Sequence, residues 1–166
     1  MVLSCAMQAQ KGKTFPEVKG MTLEDKAIAL PVKNGKFTVV AIAYSRGAED
    51  DLKKWLNPLY DNFMKKAKGT SNFDMAEVND VNFVFVPMIA GFKRIAAEFK
   101  QGTDKEFWPY IMDAEKTDIK ELQKQLGVDD NKIPYFYVLD KEGKIVEAQS
   151  GKFTEAKMDK LQDAIE

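Results

Sequence analysis

The side chains that could do chemistry in this sequence are few, and what is missing limits them further. There is one cysteine, Cys5, and there is no histidine in 166 residues. A single thiol cannot close an intrachain disulfide. Without imidazole the chain also lacks the usual proton shuttle near neutral pH and the commonest transition-metal ligand. The hydroxyl closest to a concentration of charge is Ser45, followed by Arg46, Gly47 and the acids Glu49, Asp50 and Asp51. Arg46 could orient an anion, but a serine nucleophile needs a base. The acids read more simply as the charges that a helix amino terminus prefers, and there they oppose anion binding. Asp129-Asp130-Asn131 offers oxygen ligands without the spacing or distal glutamate of a calcium loop. It reads as a solvated turn, so neither a metal nor a cofactor is expected. The stretch at 106–112, "EFWPYIM", carries Trp108 and Met112, which suit a core or an exposed docking patch. The core reading is preferred for most of it.

Charge and composition narrow the partners. The chain has 25 basic and 26 acidic residues for a net charge of -1, so no overall field favours nucleic acid or an anionic membrane. Apolar residues make up 45%, enough for a single domain with a real core. No stretch is long enough to span a bilayer. Residues 1–10 carry no charge and resemble the back half of a secretory signal. The expectation is a tail or export-signal remnant over 1–14 and a folded domain over 15–166. A lipid on Cys5 and a disordered tail are the alternatives for this segment. Export implies a periplasmic or envelope-associated protein, and otherwise a cytoplasmic one.

The elements that must position these residues follow from periodicity. "AIALP" reads as a strand stopped by Pro31, with Gly20 and Glu24-Asp25 as turn signals before it and Asn34-Gly35 as a turn after it. The apolar run 37–44 suits a central strand covered on both faces. A helix is expected over 49–66, where Leu52, Trp55, Leu56, Leu59, Phe63 and Met64 form one stripe, with a kink at Pro58. A strand follows over 81–89, then a helix over 91–102 with Phe92, Ile95, Ala96 and Phe99 on one face. Residues 107–114 read as irregular and partly extended. A helix over 118–126 ends at Gly127. A hairpin has its strands over 135–139 and 144–148, and a helix over 155–165 closes the chain after Thr154. There is no internal repeat.

Ile133-Pro134 at the head of a strand, the hairpin "YFYVLDKEGKIVEA" and the closing helix resemble the second half of a thioredoxin-type domain. The whole order resembles the redoxin branch of that fold, which implies an α/β protein, a three-layer α/β/α sandwich. Its central mixed sheet would carry an amino-terminal β-hairpin extension. Within the branch, the chain resembles the mitochondrial ATP-synthase assembly-factor family and its bacterial relatives. The matching residues are Phe15-Pro16, Leu23, Leu30-Pro31, Lys36, Trp55 with Pro58, Val86-Pro87, Val138-Leu139-Asp140 and Gly143-Lys144-Ile145.

Redox members of this fold place a Cys-x-x-Cys pair at the start of the first long helix, facing the proline. Counting from Gly35-Lys36 puts that pair on Gly47 and Asp50, and counting back from Pro58 puts it on Asp50 and Lys53. Neither register holds a thiol, so thiol oxidoreductase and peroxidase activity are not expected. The resemblance implies a cis bond at Ile133-Pro134. It also implies a protein or peptide partner held at Ser45, Arg46, Gly47, Asp50, Lys53, Ile133 and Pro134, as in an assembly factor or chaperone. The alternative is a non-thiol enzyme using Ser45, Arg46 and Glu49–Asp51 on a small molecule.

Overall fold

The computed structural model describes residues 9–65, 81–88, 97–98, 100–115 and 117–165. Its centre is a four-stranded mixed sheet in the order β4-β3-β6-β7. These strands are β3 (Thr38–Ala43), β4 (Asn82–Pro87), β6 (Tyr135–Leu139) and β7 (Ile145–Ser150). β3 pairs in parallel with β4 and antiparallel with β6, and β6 pairs antiparallel with β7. All six residues of β3 and all five of β6 are buried. That explains their unbroken apolar character, because both faces of the sheet are covered.

Alternation along the strands sorts the two faces. Val39, Ala41 and Ala43, with Phe83, Phe85, Phe136 and Val138, face one core. There they meet Leu52, Trp55, Leu56 and Leu59 of α1 (Arg46–Leu59) and Met158 and Leu161 of α3 (Glu155–Asp163). Val40, Ile42, Tyr44, Tyr135, Tyr137 and Leu139 face the other core, with Leu122 and Leu126 of α2 (Ile119–Leu126). Phe15, Val18 and Leu30 close that side. Trp55 anchors the first core. Its ring lies 4.0 Å from that of Phe136, and its indole N–H donates to the Gly151 carbonyl at 3.1 Å.

Most expected elements are present. Thr154 caps α3 through Lys157 N–H, and Asp118 caps α2 through Glu121 N–H. Gly127 ends α2 in the left-handed region at φ 70. α1 begins at Arg46, earlier than its apolar stripe suggests, and Pro58 falls in its last turn. After it the backbone widens into a π-helical turn, Tyr60–Lys65, and Asn62 Nδ2 donates to the Pro58 carbonyl at 2.7 Å. Widened turns of this kind are how a helix absorbs a local defect.

Gly20 is not a turn. It lies in the middle of β1 (Val18–Thr22), the central strand of a three-stranded sheet in the order β2-β1-β5. β2 is Ala27–Leu30, and β5 is Met112–Ala114 at the end of the irregular stretch. A β-carbon at Gly20 would overlap the Asp113 carbonyl oxygen and lie 2.9 Å from Ala114 Cα. Close approach of β5, not chain reversal, requires glycine there. The reversal itself is at Thr22–Lys26, where Thr22 Oγ1 accepts from Glu24 and Lys26 N–H and Asp25 has φ 61.

A short 3-10 helix, Lys105–Tyr110, precedes β5 and carries the aromatic stretch. Phe107, Ile111 and Met112 are buried and Trp108 and Tyr110 are half-buried, so the stretch is largely core. Residues 9–15 run beside the β6–β7 hairpin. Gly12 N–H donates to Ile145 O at 2.7 Å, and Phe15 N–H donates to Gly143 O at 2.9 Å. Several expected features lie outside the described residues: Cys5 and the first eight positions, Lys66, Ile89, and the stripe Phe92, Ile95, Ala96 and Phe99. Among the described residues, no helix is long and apolar enough to cross a membrane.

Candidate functional site

Ser45 follows β3 and is the N-cap of α1, with extended backbone at φ -150 and ψ 164. Its hydroxyl oxygen accepts Ala48 N–H at 3.2 Å, satisfying a donor that a helix start leaves free. The same hydroxyl donates to the Asn131 carbonyl at 2.7 Å. One side chain therefore both starts the helix and ties it to the segment leading into Pro134.

That segment is held from two further directions. Gln123 Nε2 on α2 donates to Asn131 Oδ1 at 2.6 Å. The Tyr135 hydroxyl accepts Asp130 N–H at 3.1 Å and donates to the Asp130 carbonyl at 2.9 Å. The Tyr135 ring meets that of Tyr44 edge-on, with centroids 6.2 Å apart. Burial pushes the Tyr135 phenol up and the Tyr44 phenol far above its ordinary value. The Tyr44 hydroxyl is buried with no hydrogen-bond partner among the described residues.

The expected site residues are divided by this arrangement. Ser45 is half-buried and bonded twice. Arg46 is exposed and its guanidinium lies 3.5 Å from the Glu98 carboxylate. Gly47 and Asp50 are exposed on the first turn and a half of α1. Lys53 pairs with the mostly buried Glu49 at 2.9 Å, and Lys54 pairs with Asp51 at 3.4 Å. Ile133 is half-buried against the second core, and Pro134 is buried.

The Ile133-Pro134 bond is trans, contrary to expectation; the one cis bond among the described residues is Leu30-Pro31. Trans is the default by roughly 0.5–1 kcal/mol even before proline, and nothing here demands the other form. The Pro134 carbonyl accepts Gly151 N–H at 2.9 Å, extending the β6–β7 pairing beyond the strands.

Because α1 starts at Arg46, a pair at the helix start with Cys-x-x-Cys spacing would occupy Ser45 and Ala48, which carry a hydroxyl and a methyl. Both counted registers, Gly47/Asp50 and Asp50/Lys53, begin after that point. Ser45 before a polar run was readable as a cap. Asn131 carried no signal, because its main-chain carbonyl makes the bond and any residue supplies one. Among the described residues no group of acids could hold a metal ion. A groove of about 370 Å³ lies elsewhere, between Pro16–Lys19 and the α2 end of the molecule, and none of the expected site residues lines it.

Comparison with known proteins identifies the family and the fold. Residues 4–166 match the ATP10 protein family. No curated protein matches the chain. Among solved structures, the thioredoxin domain of a thiol-disulfide oxidoreductase from Bacteroides vulgatus superposes with a TM-score of 0.66 at 16% identity, over 94% of this chain and 98% of that one. A putative thiol:disulfide interchange protein DsbE from Chlorobium tepidum gives 0.61 at 18% identity, over 93% and 94%. The exposed lipoprotein thioredoxin Etrx1 from Streptococcus pneumoniae gives 0.59 at 19% identity, over 89% and 99%. The fold is thioredoxin-like, and with one cysteine in the sequence there is no Cys-x-x-Cys pair.

Proposed function

The chain belongs to the ATP10 protein family, and we propose that it works as an assembly factor that holds a protein partner without thiol chemistry. The observation that carries this reading is the Ser45–Asn131 bond. At the helix start, where a redox pair would sit, a capping serine ties α1 to the loop before Pro134. The result is a surface with no thiol among the described residues. Arg46, Gly47, Asp50, Asn131 and Lys132 are exposed around it. They offer both charges and main-chain groups to a polypeptide, with Lys53, Ile133 and Pro134 as its flank and floor.

Family membership makes a subunit of a membrane complex the natural partner, with ATP synthase the first to test. The resemblance of residues 1–10 to a secretory signal supports an encounter in the periplasm or at the envelope, with the cytoplasm as the alternative. The enzyme reading has less support: among the described residues Ser45 is engaged twice, and Arg46, Glu49 and Asp51 each face an opposite charge. Affinity capture from membranes by the full chain tests the proposal. A discrete membrane-complex subunit should be recovered, and its recovery should fall when Arg46 and Asp50 are both changed to Ala. Recovery that is absent, or indifferent to those changes, refutes it.

A further inference from the structure

Asn34 is the one asparagine in the chain that is followed by glycine. It sits exposed in the connection between β2 and β3, and Gly35 has φ 79 with open space where a β-carbon would stand. Asn34 Oδ1 accepts Lys36 N–H at 3.3 Å, which closes an Asx turn around Gly35. The same carboxamide is clasped by Asn82, the first residue of β4. Asn34 Nδ2 donates to Asn82 Oδ1 and Asn82 Nδ2 donates to Asn34 Oδ1, each at 2.8 Å. Asn82 is fixed in turn by Thr38 Oγ1 at 3.2 Å and by its own N–H on the Phe37 carbonyl at 2.8 Å.

We propose that Asn34 is a deamidation site and that Asn82 restrains it. The Gly35 amide nitrogen attacks Asn34 Cγ, which no side chain at 35 shields. A new N–C bond closes an imide ring, the carboxamide C–N bond breaks, and the Gly35 proton is relayed through solvent to the leaving nitrogen, which departs as ammonia. Water opens the ring at either carbonyl, giving aspartate or isoaspartate, and is the only co-reactant. The Asn82 clasp opposes the attack because it holds the carboxamide plane and keeps the leaving nitrogen engaged. Conversion makes the net charge of -1 one unit more negative and removes the donor to Asn82 Oδ1. The isoaspartate product also lengthens the main chain between β2 and β3. The turn would then come loose from β4, so the modification changes both surface charge and local order.

The test is incubation of the full-length protein at mildly alkaline pH, followed by peptide mapping that separates aspartate from isoaspartate. Asn57, Asn62 and Asn131 serve as internal references. Asn34 is expected to convert first. Asn82→Ser, shown to be folded by circular dichroism, should speed conversion on the order of tenfold, the worth of two exposed hydrogen bonds. Asn82→Asp keeps the acceptor for Asn34 Nδ2 but loses the donor, so it should give a smaller acceleration; it also serves if Asn82→Ser does not fold. Another asparagine converting first, or a folded Asn82 variant with unchanged Asn34 kinetics, overturns the proposal.

Discussion

Replacing Ser45 with Ala tests the junction at the head of α1 most sharply. The substitution deletes the acceptor for Ala48 N–H and the donor to Asn131 O. Losing an N-cap side chain costs about 1 kcal/mol. The Asn131 carbonyl is at the surface, where water replaces most of the lost bond, so that part adds only about 0.5 kcal/mol. The expected loss is about 1.5 kcal/mol in urea unfolding, or a fall in Tm of roughly 3–6 °C for a chain of this size. Thr154→Ala is the control, because it removes a cap with no second side-chain bond among the described residues, and it should cost about 1 kcal/mol. Ser45→Asp separates the two roles. Aspartate caps as well as serine and suits the helix dipole, but its carboxylate cannot donate to a carbonyl. It should therefore stay near wild-type stability while amide exchange quickens at 131–133. Stability of Ser45→Ala within about 0.3 kcal/mol of wild type, or unchanged exchange in Ser45→Asp, would refute the account of this junction, since surface changes of no consequence fall in that range.

Three other perturbations have definite outcomes. Gly20→Ala forces a methyl into the Asp113 carbonyl, so β5 must separate from β1. A loss of roughly 2–4 kcal/mol is expected by thermal unfolding, whereas a silent substitution would mean that the β1–β5 pairing is wrong. Tyr44→Phe removes a buried hydroxyl with no partner among the described residues, so stability should hold or rise by about 1 kcal/mol. The Tyr44 phenol is raised in the folded state by burial, so its contribution is complete below about pH 10 and is lost above it as the unfolded chain ionises first. Tyr44→Phe should accordingly flatten the alkaline limb of stability against pH, and an unchanged limb would count against the burial of this phenol. Ser45→Cys with Ala48→Cys, in a Cys5→Ser background, should yield an intramolecular disulfide on mild oxidation. Thiols at a helix start are lowered in pKa, and mass spectrometry with alkylation reads the result. Two thiols that stay free would show that Ser45 and Ala48 are not at the redox position of the fold.

Local signals in the sequence reached as far as local forces act. β6 and α2 were readable almost to the residue, because a continuous apolar run and a capped amphipathic stretch ending at Gly127 leave little choice. The start of α1 was hidden by Gly47, a poor helix former, and by an apolar stripe that was legible only from Leu52 onward. β5 was hidden because three residues carry no period, and its pairing with β1 joins segments about ninety positions apart. The same pairing turned Gly20 from an expected turn into a close-contact glycine. At the candidate site, Ser45 was legible as a polar residue at a strand end. Asn131 was not, because a main-chain carbonyl makes the bond. The Ile133-Pro134 bond takes the ordinary trans form where the resemblance implied cis.

The central claim is that this end of the domain holds a polypeptide without a thiol. It is tested most directly by a photoreactive residue in place of Lys132, exposed beside Asn131, with Lys160 on α3 as the distant control. In native membranes, position 132 should crosslink to a discrete membrane-complex subunit, position 160 should not, and Cys5→Ser should leave the crosslink intact. Equal labelling from both positions, no labelled protein at 132, or loss of the crosslink with Cys5→Ser would contradict the account.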